Sequence, residues 1–262
     1  MGIDLQVLGS GTSAPSADRS CAAYAFRTAD GLGLLDCGPG TVRRLAEAGI
    51  DTNDIRWILL THRHVDHCAD LAPLLFWWHA PESGRTLPLE IHGPVETVRY
   101  WEGLRRIYGD WIVPACPVEV REWSCGEFRL GEGTAVRTAP TAHSTPTVAY
   151  RIEAGGASLA FSGDTGPCDA VADLAKGADL FVLECALPEE MRVPTHMTPS
   201  DCGRMAAAAG CGHLLLTHFY PPVERVDIPA LCRAHYRGPV TLAKDLLRAR
   251  IESGRVRFGV GA

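Results

Sequence analysis

Just beyond an apolar run, the segment His62-Arg63-His64-Val65-Asp66-His67 gathers three imidazoles and a carboxylate into one short loop. Such groups are costly to bury unpaired, and protonated imidazoles repel one another. They are also zinc-type ligands, and a mixed nitrogen and oxygen set suits a hydrolytic site with an open position. Alternation along an extended segment puts His62 and His64 on one side, where they can chelate one ion. Asp66 and His67, past the turn, can reach a second ion nearby. Two metals need more than four ligands. Three further candidates stand at predicted strand ends: His143 after Thr141-Ala142, Asp164 in Ser162-Gly163-Asp164-Thr165, and His218 after Leu216-Thr217. Taken singly, each is as well explained as a cap or a surface residue; in this order they make a site.

The elements that must position these residues can be read from periodicity. Ile3 to Leu8 alternates as a strand and runs into a glycine- and serine-rich turn from Gly9 to Ser16. Cys21 to Arg27 and Gly33 to Asp36 form a hairpin, and Thr41 to Ala48 a helix stopped by Gly49. Ile55 to Leu60 is a buried strand that delivers the histidine loop, with a helix continuing through Leu74 and Leu75. A strand at Leu89 to His92 precedes a helix from Pro94 to Tyr108, and Val118 to Thr138 holds two or three strands. Strands then fall at Val148 to Ile152 and Ser158 to Phe161, with helix Asp169 to Ala175, strand Leu180 to Glu184, helix Pro199 to Ala209 and strand His213 to Leu216. Helices interleaved with strands that end in polar residues predict an α/β or α+β layered fold, with chemistry at the carboxyl ends of strands. Residues 1–262 read as one domain.

Composition agrees with this and excludes other classes. The 262 residues are 46% hydrophobic and 21% charged, with formal net charge −6, which rules out disorder, collagen and coiled coil. No apolar run approaches a membrane span, and Asp4 stands where a signal peptide carries basic charge, so a cytoplasmic location is expected. The ten cysteines include no CxxC pair, which excludes zinc knuckles and thioredoxin-like motifs.

The order HxHxDH, single His, Ser-Gly-Asp-Thr and late Thr-His resembles the metallo-β-lactamase fold of dinuclear metallohydrolases, along essentially the whole chain. The resemblance implies a four-layer αββα sandwich. It also implies two divalent ions, Zn²⁺ or alternatively Mn²⁺. His62, His64 and His143 would hold the first, Asp66, His67 and His218 the second, and Asp164 would bridge them. The opening Leu8-Gly9-Ser10-Gly11-Thr12-Ser13-Ala14-Pro15-Ser16, Arg19, and Leu35-Asp36-Cys37-Gly38-Pro39-Gly40-Thr41 are similar to the ribonuclease Z-like phosphodiesterase branch. So is His196-Met197-Thr198. By that likeness His196 contacts the scissile phosphate, Glu184 orients it, and Asp66 counts among the catalytic residues.

Two close cations suit an anionic diester, because one lowers the pKa of a bound water to make hydroxide and both neutralise phosphoryl charge. A positioned imidazole can then protonate the departing alkoxide. The long arm of transfer-RNA-processing ribonuclease Z is missing, since Asp164 stands only 21 positions after His143. With net charge −6, the attraction that drives RNA affinity is hard to supply. The expected substrate is therefore a small phosphodiester, such as a cyclic nucleotide. The alternatives are a ribonuclease Z-like RNA 3′-processing endonuclease, or an ester, thioester, lactone or sulfate-ester hydrolase. The family likeness also suggests a homodimer. His79, His92, His213 and His235 fall outside any ligand pattern and are read as structural. The Trp-rich segments around Trp77 and Trp111 are read as core or interface.

Overall fold

The computed structural model describes residues 2–260. The first half of the chain forms β1 (Ile3–Gly9), β2 (Ala23–Arg27), β3 (Leu32–Leu35), α1 (Thr41–Glu47), β4 (Ile55–Leu59), α2 (Val65–Cys68), α3 (Leu71–His79), β5 (Leu89–Gly93), α4 (Thr97–Tyr108) and β6 (Val118–Glu122). The second half forms β7 (Gly126–Leu130), β8 (Thr134–Pro140), β9 (Val148–Ala154), β10 (Ala157–Phe161), α5 (Asp169–Leu174), β11 (Leu180–Glu184), α6 (Pro199–Ala209), β12 (His213–Thr217), α7 (Ile228–Arg233), β13 (Val240–Leu242), β14 (Leu247–Glu252) and β15 (Arg255–Val260).

Two mixed sheets result. One has the order β15-β14-β1-β2-β3-β4-β5-β6 and the other β13-β12-β11-β10-β9-β8-β7. Because side chains alternate across a strand, β2, β3 and β4 of the first sheet face two cores. Ile3, Leu5, Val7, Tyr24 and Phe26 join Val136, Tyr150 and Ile152 in a cluster between the sheets. Ala23, Ala25, Leu34 and Ile58 point the other way and pack with Leu71, Leu74, Leu75 and Trp78 of α3. Helices α5 to α7 cover the second sheet, completing the αββα sandwich expected from the sequence.

Parallel pairing in both halves brings the site strands into register. β3, β4, β5 and β6 run parallel, as do β10, β11, β12 and β13, so their carboxyl ends face one edge of the sandwich. Hydrogen bonds stitch the sheets together beneath that edge. Val148 N donates to Thr61 O at 3.0 Å, Tyr150 Oη donates to Leu60 O at 2.8 Å, and the Tyr24 and Thr217 hydroxyls meet at 2.6 Å.

Some elements differ from the sequence expectation. The helix after the histidine loop is two pieces, α2 and α3, so that Asp66 and His67 sit in a separate turn. Helix α4 begins at Thr97 rather than Pro94, because Glu96 adopts a left-handed backbone at φ 81°. The stretch from Val118 to Thr138 crosses between sheets, with β6 ending the first and β7 starting at the edge of the second. The C-terminal hairpin β14–β15, which the sequence reading left unassigned, adds two strands beside β1.

Candidate metal centre

The loop after β4 carries His62 and His64, α2 carries Asp66 and His67, the loop after β8 carries His143, the turn after β10 carries Asp164, and the end of β12 carries His218. Residues spread over more than 150 positions thus converge at one edge. His62, His64, His143 and Asp164 place one donor atom each within 4.8 Å of one another, and so do Asp66, His67 and His218. Asp164 stands between the two groups. Its Oδ2 is 3.8 Å from both His62 Nε2 and His143 Nε2, while its Oδ1 is 3.2 Å from His67 Nε2 and 3.4 Å from His218 Nε2. One carboxylate oxygen faces each group, which is the geometry of a bridge between two cations.

The other ring nitrogens show how each imidazole is held. His67 Nδ1 donates to Asp36 Oδ2 at 2.8 Å. Thr61 donates its hydroxyl to the same carboxylate and accepts from His62 Nδ1 at 3.0 Å. His143 Nδ1 donates to Thr195 O at 3.1 Å. These bonds leave the Nε2 lone pairs of His62, His67 and His143 turned inward, as metal ligation requires. His64 is turned the other way, with Nδ1 inward, 3.0 Å from His62 Nε2 and 3.2 Å from His143 Nε2.

The donor set fits two divalent cations. Burial holds the His62, His64 and His143 imidazoles below the ordinary histidine pKa, which favours the neutral, ligating form. Burial opposes ionisation of Asp66, but the nearby His218 and His67 override it and bring its carboxyl down to about 2. The carboxylate of Asp164 is likewise held well below its usual range, against burial, by His218 and His67. Asp164 Oδ1 is buried without a hydrogen-bond partner. An orphaned carboxylate oxygen facing inward-turned imidazole nitrogens is costly unless a cation lies among them.

Backbone constraints surround the centre. Asp36 and His218 both lie in the left-handed region, at φ 59°, a conformation retained only where the surroundings enforce it and one that clusters at functional sites. A Cβ at Gly38 would lie 2.0 Å from Asp66 O, so only glycine lets the loop after β3 pass behind α2. The glycine-rich turn after β1 is tied by Asp245, which accepts from Ser10 N, Ser10 Oγ and Ser20 N. That turn offers Ser13 N to Asp66 Oδ2 at 3.1 Å.

Beside this centre stands a second pair. Glu184, at the end of β11, is buried and accepts from His196 Nδ1 at 2.9 Å, Thr165 N at 2.9 Å and Met197 N at 3.2 Å. His196 lies 5.2 Å ring to ring from His143 and 6.1 Å from His218, stacked on the latter. Burial works against its protonation, but the Glu184 carboxylate outweighs burial and raises its pKa. Thr198 does not reach the centre. It caps α6 in a reciprocal box with Asp201 and so anchors the loop that carries His196.

Residues 34–219 match the β-lactamase superfamily domain. The chain belongs to the metallo-β-lactamase superfamily, in its ribonuclease Z-like branch. Among curated relatives, a ribonuclease Z of Mycobacterium bovis is 31% identical, with 97% of this chain and the whole relative aligned. Among solved structures, the metallo-β-lactamase-fold protein YhfI of Bacillus subtilis superimposes with TM-score 0.82 at 24% identity, covering 99% of this chain and all of that one. The short form of human tRNase Z gives TM-score 0.77 at 24% identity, covering 95% of this chain and 99% of that one. As a superfamily member carrying this donor set, the protein is a metal-dependent hydrolase.

The absence of an arm does not by itself favour a small substrate. The absent arm was the reason to prefer a small substrate, yet the Mycobacterium bovis alignment runs only 281 positions against the 262 of this chain. That relative has no room for a long arm either, and it is a ribonuclease Z by name. The missing insertion therefore does not separate the two substrate classes.

The structure adds residues that motif reading passed over. Asp36 was legible only as part of a loop likeness, although an aspartate directly after the apolar strand Leu32–Leu35 is itself a signal. Tyr220 lies two residues past His218, its ring perpendicular to that imidazole at 6.0 Å and 6.3 Å from His196. No helix among the described residues is long and apolar enough to cross a membrane.

Proposed function

We propose that the protein is a phosphodiesterase that cleaves RNA, acting as a 3′-processing endonuclease. The observation that carries it is the His196–Glu184 pair beside Asp164, a donor imidazole set next to a two-cation site. Full-length likeness to a protein named ribonuclease Z supports RNA as the substrate. His62, His64 and His143 would hold one cation and Asp66, His67 and His218 the other, with Asp164 between. Two bound Zn²⁺ or Mn²⁺ ions would supply a water of lowered pKa and offset the diester's charge. His196 then donates a hydrogen bond or proton to the phosphoryl group from the side of Nε2, while Glu184 holds Nδ1 and keeps the ring aimed.

A small nucleotide diester, such as a cyclic nucleotide, remains the second reading. It is favoured by the formal net charge of −6, which works against the phosphate-backbone attraction that an RNA substrate needs. A homodimer belongs to the same proposal, supported by Phe76, Trp77, Ile107 and Trp111, large apolar side chains exposed on α3, α4 and the turn that follows.

The deciding experiment offers metal-loaded protein a precursor transfer RNA with a 3′ trailer, 2′,3′- and 3′,5′-cyclic nucleotides, and bis-p-nitrophenyl phosphate. Cleavage at one defined 3′ position, much faster than any small diester, is the expected result. Fast turnover of a cyclic nucleotide with the RNA left intact selects the second reading. No diester turnover by fully loaded protein overturns both.

A further inference from the structure

We propose that a cavity beside the His143 loop is a subsite for one nucleobase of the substrate, a proposal that rests on the phosphodiesterase reading above. The cavity has a volume of about 180 Å³. Sites for drug-sized ligands run roughly 300–1,000 Å³, so this one is sized for a single ring system. Pro94 and Trp123, just past the ends of β5 and β6, line it together with Thr141, Thr145 and Val148 from the chain around His143.

Three observations identify the occupant. The first is position. Thr141 and Thr145 each stand two residues from His143, which keeps their Cα atoms within about 7 Å of the Cα of that ligand. Val148 donates its N–H to Thr61, the neighbour of His62. A diester held at the metal centre thus has a neighbouring group within reach of the cavity.

The second is a fixed aromatic surface. Phe128 stacks on Trp123 at 4.4 Å and 17°, and Trp123 Nε1 donates to His92 Nδ1 at 3.1 Å. The indole is thereby held in place, and Trp123 lines the cavity. A pre-ordered ring loses little freedom when a base stacks on it.

The third is polarity. No charged side chain lines the cavity, which makes it unfit for phosphate. Among the described residues, the hydroxyls of Ser124 and Thr145 have no hydrogen-bond partner, so they are free for the polar edge of a base. Apolar walls, a fixed indole and two free hydroxyls suit a neutral heteroaromatic ring. The phosphate goes to the metals and its base to this cavity.

The test is calorimetric titration of the zinc-loaded protein with adenosine 5′-monophosphate and with ribose 5-phosphate, which lacks the base. Stacking of a base on an aromatic side chain predicts that the nucleotide binds about tenfold tighter or better. Ser124→Trp, which fills the cavity from an exposed turn, and Trp123→Leu, which removes the ring, should each abolish that preference. Melting curves select the folded variants. Equal binding of the two ligands by the unaltered protein, or a preference that survives both substitutions, overturns the subsite. Because this readout is binding, it stands even if no diester is hydrolysed, a result that would overturn the proposed function instead.

Discussion

Asp36 Oδ2 lies 2.8 Å from His67 Nδ1, and the same buried carboxylate accepts the backbone N–H and the hydroxyl of Thr61. The Thr61 hydroxyl in turn accepts from His62 Nδ1. One side chain at the end of β3 therefore orients an imidazole from each half of the candidate metal centre. Partners of this kind fix the tautomer and raise the basicity of a ligand.

Asp36→Ala should accordingly weaken metal binding about 10- to 100-fold, the range seen when such orienting partners are removed. Competition against a chromophoric zinc chelator measures this. Unchanged affinity would mean that Asp36 serves only the fold.

Glu184 touches His196 and two backbone N–H groups but not the cluster of inward nitrogens, so in the proposed function it acts by positioning His196. Glu184→Gln should lower kcat on a diester while KM and bound metal stay near their starting values. His196→Ala should lower kcat/KM by about 10²- to 10⁴-fold, the usual contribution of a placed acid or base. Loss of metal from either variant would assign the pair to ligation instead.

Thr198 caps α6, with its hydroxyl 2.7 Å from Asp201 Oδ2 and Asp201 N reaching back to it at 3.4 Å. Thr198→Ala should cost about 1 kcal/mol of stability, and Thr198→Ser should recover most of it. Urea unfolding checks this. A variant that keeps its stability but loses turnover would return Thr198 to the site.

His92 is fully buried, and burial brings its pKa down from 6.5 to about 4. Its Nδ1 accepts from Trp123, an indole that can only donate, so the ring is the neutral tautomer protonated at Nε2. The folded value lies below the unfolded one. The unfolded chain therefore binds the extra proton first, and stability that is fully present above pH 6.5 is lost as pH falls towards 4. A depression of this size corresponds to about 3 kcal/mol. His92→Gln, which keeps an acceptor for Trp123, should lose less stability than the parent between pH 7 and 4.5 in urea titrations. Parallel losses would assign the acid sensitivity to other groups.

Much of the centre could be read from order and spacing. The His62–His67 segment is contiguous, and a run of imidazoles after a buried strand has few uses other than ligation. Helix α6 was placed with its observed ends, because Thr198, Pro199 and Gly210 are local stop and start signals. The break between α2 and α3 was not visible, because both halves share one apolar periodicity and the interruption at Asp70 depends on a remote contact. Asp70 Oδ2 accepts from Gly40 N and Val42 N at the start of α1. The role given to Thr198 was likewise decided by its neighbour Asp201, whose side chain completes the cap.

By itself the sequence determined the chemical inventory: seven donors in a fixed order, a histidine and an acid to accompany them, and strands whose ends could present them. These depend on residue type and short-range pattern, which a linear chain displays directly. Tertiary structure alone decided that Asp36 and Thr61 together hold two imidazoles, that Asp164 turns one oxygen to each group, and that Trp123, His92 and Phe128 lock together beside the His143 loop. Most of these relationships join residues tens of positions apart or more. The parallel pairing of β3 with β4 and the packing of one sheet on the other bring those partners within bonding distance, and no local periodicity records either.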